Sequence, residues 1–160
     1  MTWSYPEVDI PGDGKTLDDA PNAKNFKNYY NSDQVYMYNM ITKTVQNKIV
    51  PDSTFNWIMP VGTAVQNAKS SSLTDYDLYR DYTHLNDFSR LMAAYVWFSR
   101  IEGEVPQQFL LDRVPAAVKK SYTGTGDMVL TELQFNILQE SVRNACATPF
   151  SVTQSQYTEN

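Results

Sequence analysis

Phe55–Gly62, "FNWIMPVG", narrows most sharply what this chain can fold into. It is an apolar run of strand length set between turn signals, and such a run predicts a buried strand ending at Pro60. An amphipathic helical pattern precedes it, and a polar loop and a second helical pattern follow. The order helix, strand, loop, helix predicts an α/β layered domain with a parallel sheet.

The helical patterns have readable ends. Ser32 has the chemistry of an N-cap, and Val35, Tyr36, Met40, Ile41, Thr44, Val45, Lys48 and Ile49 recur at near-helical spacing behind it. This predicts a helix over Ser32 to Val50, stopped by Pro51, with its Met and Tyr in the core. Thr63 to Lys69 predicts a short helical turn, and Ser70 to Tyr82 a polar loop. Asn86 or Asp87 can cap the next helix, which carries Phe88, Leu91, Met92, Tyr95, Val96 and Ile101 and stops at Gly103. Pro115 to Lys120 fits a short helix. Thr131 and Gln134 form a capping box before a last helix with Leu133, Ile137, Leu138, Val142 and Ala145.

Upstream, Thr2 to Tyr5 reads as a strand stopped by Pro6, and Pro6 to Asn31 as a long loop. "GDGKT" within that loop is no phosphate-binding motif, because Asp9 stands where the first glycine is required and no apolar helix follows. Two strands are too few for a full doubly wound sheet, so the expectation is a domain over residues 1–150 whose N-terminal strands are missing. Residues 151–160 form a polar tail.

At 160 residues the chain can bury a core. Its net charge of −5 and the absence of any basic run longer than Lys119-Lys120 count against nucleic acid as a partner. No run approaches the roughly 20 apolar residues of a membrane span. Cys146 stands alone, so neither a disulfide nor a thiolate metal site can form within one chain, and its simplest role is a small buried hydrophobe. A single histidine likewise excludes a multi-histidine zinc site, and nothing calls for an organic cofactor. "MTWSYP" has neither a basic nor an apolar signal-peptide region, so any signal peptide would lie upstream. Most of the eleven tyrosines are expected in the core, with a sugar-binding cleft as the alternative.

The one histidine sits in "DYTHLNDFSR", with Asp81 three residues before His84 and a helix starting just behind. In an open α/β sheet a loop of this kind carries ligands. A turn of three residues can bring the Asp81 carboxylate to Nδ1–H, leaving Nε2 as a proton acceptor for a serine hydroxyl. The plainer alternative is a solvated histidine at a helix start.

"DYTHLNDFSRLMAAYVWFSRIEG" resembles the C-terminal block of SGNH (GDSL-type) serine hydrolases, where an Asp-x-x-His pair supplies the acid and base of a triad. "FNWIMPVGTAVQNAKSS" and "DQVYMYNMITKTVQNKIV" look like a bacterial branch of the same superfamily. The resemblance implies a partial three-layer α/β/α, flavodoxin-like fold, with Asp81 orienting His84 and His84 as the base. It implies hydrolysis of small-molecule or carbohydrate esters, acetylated carbohydrate among them, without metal or cofactor, in a secreted or periplasmic protein.

The family's Gly-Asp-Ser block and its Gly and Asn oxyanion blocks are not matched. Gly12-Asp13-Gly14 has glycine in the serine's place, and Ser4, Ser32, Ser53 and Ser70 have no motif around them. The expectation is therefore the C-terminal portion of a hydrolase, inactive on esters by itself. Two rivals remain: an inactive carbohydrate- or protein-binding remnant, and a fragment that self-associates through apolar surface near Trp57, Ile58 and Met59.

Overall fold

A strong N-cap opens the first helix of the computed structural model, which describes residues 33–80, 84–103 and 130–158. Helix α1 is Gln34–Thr44, and its cap is Asp33, whose side chain accepts the Tyr36 N–H at 2.8 Å. The helix widens into a π-helical turn over Val45–Ile49 and ends before Pro51, which has no N–H to continue it. The buried face differs from the expected stripe. Gln34, Met37, Tyr38 and Thr42 are buried, whereas Val35, Tyr36 and Met40 are exposed.

Helix α2, Val61–Lys69, starts at Pro60 and is buried on every side from Val61 through Ala68. Gly62, Ala64 and Ala68 keep it thin enough for neighbours to approach all round. Its polar groups are matched, as burial demands. Thr63 Oγ1 donates to the Pro149 carbonyl at 2.6 Å, and Asn67 Nδ2 to the Ser141 carbonyl at 3.2 Å. A short helix α3, Asp75–Leu78, leads to α4, Asp87–Glu102, and then α5, Glu132–Ala147. Helix α4 ends at Gly103, whose φ of +72° is a left-handed stop that glycine takes without side-chain strain. At α5 both halves of the expected capping box are made by Thr131 and Gln134.

Helices α2, α4 and α5 pack on one another around Val65, Leu78, Met92, Val96, Ile137, Leu138 and Val142. Leu133 and Ile101, apolar members of the two helical patterns, are exposed. The polar tail runs back over this core. Thr153 N–H donates to Asn67 Oδ1 at 2.8 Å and Ser155 N–H to Ser70 Oγ at 2.8 Å. Glu140 takes the Ser155 hydroxyl and, at 3.1 Å, the Gln156 N–H.

The expected α/β architecture is overturned. Among the described residues there is no strand and no sheet, parallel or otherwise, and the architecture is helical. The run Phe55 to Pro60 is irregular, with Phe55 and Trp57 exposed and Ile58 and Met59 half-buried. Its C-terminal part, Val61 and Gly62, belongs to the first turn of α2. A short apolar run does not distinguish a strand from the approach to a buried helix. With no sheet, neither the three-layer α/β/α arrangement nor a sheet rim beside His84 exists among these residues. The Thr2–Tyr5 strand, the Pro6–Asn31 loop and the Pro115–Lys120 helix fall outside the described residues.

Candidate functional site: the His84 loop

The segment between α3 and α4 folds back on itself. Tyr79 and Leu85 form an isolated antiparallel bridge, and both side chains are buried. Burying two large apolar side chains anchors the base of the loop in the core, worth about 1.5–3 kcal/mol each. Inside the bridge, Arg80 N–H donates to the His84 carbonyl at 3.1 Å. The His84 carbonyl is thereby held, while the residue as a whole is exposed.

Two sets of contacts hold the loop from outside. On one side Tyr79 OH accepts a hydrogen bond from Gln34 Nε2 at 3.4 Å. The fully buried Gln34 carbonyl in turn accepts from Lys69 Nζ and, at 3.4 Å, from Gln66 Nε2. On the other side stands Asn86, whose own N–H donates to the Leu78 carbonyl at 3.0 Å. Its Oδ1 caps α4 by accepting the Ser89 N–H at 3.0 Å, and its Nδ2 donates to the Asp77 carbonyl. Asp87 and Arg90 make an ion pair at 3.5 Å on the first turn of α4. Being partly solvated, it adds little to stability.

Of the two residues singled out for catalysis, His84 is exposed, and its carbonyl accepts the Arg80 N–H. Asp81 lies outside the described residues. Among the described serines, Ser53 and Ser151 are exposed, and five others are bonded to backbone or buried. Ser70 and Ser71 donate to the Asn67 and Ala68 carbonyls, and Ser89, Ser99 and Ser141 are buried within the helices. Among the described residues no three His, Cys, Asp or Glu side chains gather as a metal site, and no helix is long and apolar enough to cross a membrane. Burial pushes the Cys146 thiol up, against the opposing charge of Arg100, so it is the poorer nucleophile for it.

The sequence offered Asn86 only as one of two caps, and its second bond to the loop was missed. The available signal was the residue type, since a cap needs an acceptor alone and asparagine also carries a donor.

The described residues thus define a helical architecture with one exposed histidine beside an isolated bridge. A family model described as a domain of unknown function, DUF4886, matches residues 16–116, and the chain belongs to that family. It is also similar to the crystal structure of a DUF4886 family protein from Bacteroides uniformis, with a TM-score of 0.69 and 24% identity. That similarity covers 99% of this chain and 50% of the other, so the chain spans half the length of its structural relative. Comparison with curated proteins gives no match.

Proposed function

We propose that the loop from Tyr79 to Asn86 supplies the general base of an acyl ester hydrolase, with His84 as the base and Asp81 as its orienting carboxylate. Acetylated carbohydrate is the proposed substrate class. One observation carries the reading: an exposed histidine whose carbonyl is held in the Tyr79–Leu85 bridge by the Arg80 N–H. A base must hold its position while accepting a proton, and a surface histidine with no role needs no such anchorage. The Asp-x-x-His spacing and its resemblance to the SGNH block support the same reading.

The chemistry would be acyl transfer. Nε2 takes the proton of a hydroxyl nucleophile as its oxygen attacks the ester carbonyl, and returns it to the departing alcohol. Hydrolysis of p-nitrophenyl acetate by the complete translation product containing these residues tests it. His84→Ala should lower kcat by about 10⁴-fold or more, and Asp81→Asn by less if another acceptor orients the ring. Turnover that survives His84→Ala sinks the reading.

A second reading, a non-catalytic module that binds carbohydrate or protein, is favoured by Trp97, Phe98 and Ile101, exposed together on α4. Self-association through that face belongs to the same reading. It predicts no turnover in any variant and a loss of binding on Trp97→Ala.

A further inference from the structure

We infer that Asn86 is the positioning residue for His84, an inference that rests on reading His84 as the base. Capping accounts for the Asn86 oxygen but not for its bond from Nδ2 to the Asp77 carbonyl. Serine and aspartate cap as well, because the cap needs only an oxygen to accept an N–H of the first turn. Asparagine adds an N–H₂ donor on the same rigid plane. In this chain both ends are used, Oδ1 on the Ser89 N–H and Nδ2 on the Asp77 carbonyl. The Asn86 backbone adds a third bond, to the Leu78 carbonyl.

The consequence is geometric. Asp77 and Leu78 lie just before the bridge residue Tyr79, and Asn86 just after its partner Leu85. Asn86 therefore clamps the two ends of the loop together at the base. The same side chain fixes that base to the first turn of a 16-residue helix. His84 sits two residues from this clamp, on a short path between it and the Arg80 hydrogen bond. Displacing Asp77 and Leu78 from the start of α4 has to break the Asn86 side-chain and backbone hydrogen bonds. Pre-positioning of this kind acts through the base and does not touch the reacting atoms.

Two variants separate clamp from cap. Asn86→Ser keeps an oxygen for the Ser89 N–H and loses the donor to Asp77. Asn86→Asp also keeps the cap, and turns a carboxylate oxygen toward the Asp77 carbonyl. Both should retain the helical circular dichroism of the parent and melt within a few degrees of it. Exchange of the Arg80 amide, measured by NMR, should speed up at least tenfold while amides in the middle of α4 keep their protection. His84 is the chain's single histidine, so its Hε1 resonance is unambiguous, and it should broaden or split in both variants. In the complete translation product kcat on p-nitrophenyl acetate should fall at least tenfold, with KM within twofold. An unchanged Arg80 amide and an unchanged His84 resonance overturn the inference. So does loss of protection along the whole of α4, which would make Asn86 a cap only. The spectroscopic arms need no turnover, so a failed clamp is distinguished from a failed hydrolase reading, which His84→Ala alone decides.

Discussion

Tyr95 lies half-buried on α4, and that burial pushes its phenol up to about 12 from an ordinary value near 10. The folded chain therefore keeps a proton that the unfolded chain releases between those values. More protons are bound in the native state, so stability falls as pH rises from about 10 through 12. Ultraviolet titration should show a late tyrosine ionisation near pH 12, and Tyr95→Phe should diminish that late phase. All tyrosines titrating together near 10 would contradict it. At this scale the sequence was informative where chemistry is scarce. A chain with one histidine directs attention to His84, which is exposed beside the Tyr79–Leu85 bridge. Burial of individual residues was harder to read. Gln34 is fully enclosed because Lys69, Gln66 and Tyr79 satisfy its amide, partners that local sequence does not reveal.

Among the elements, helix ends were legible and faces were not. The Thr131–Gln134 box and the Gly103 stop follow from local hydrogen bonding and backbone freedom, so four or five residues suffice to see them. Thr131→Ala should destabilise the protein by about 1 kcal/mol, measurable as a lower urea midpoint with an unchanged slope. No shift in the midpoint would mean that α5 is held by packing alone. The buried face of α1 was misjudged because apolar residues lie on both sides of it. Met37 and Tyr38 face the core, and Tyr36 and Met40 face out. Periodicity ranks a helix above a loop, but it cannot choose between two apolar faces. The run at Phe55 failed for a related reason. Its apolar residues lead into the first turn of a buried helix, and length and composition alone do not separate that from a strand.

On the scale of the whole molecule, α2 is enclosed on all sides and the C-terminal segment closes over its end. Nothing near Thr153 in the sequence announces that its N–H belongs to Asn67, and the resulting hydrogen bond joins residues 86 positions apart. Ending the chain after Phe150 should expose the C-terminal end of α2 and leave the Asn67 and Glu140 side-chain acceptors without these donors. Each buried group so orphaned costs about 1–3 kcal/mol. The shortened chain should melt well below the parent, and Ser155→Ala should lose a smaller share. Equal melting temperatures for the shortened and parent chains would show that the segment is only draped on the surface.

That strap also sets a clock on biosynthesis. A ribosome adding about 5–20 residues per second delivers Thr153 roughly 4 to 17 seconds after Asn67. Through that interval the end of α2 lacks its last covering layer, and the nascent chain has time to meet a chaperone or a protease before it closes.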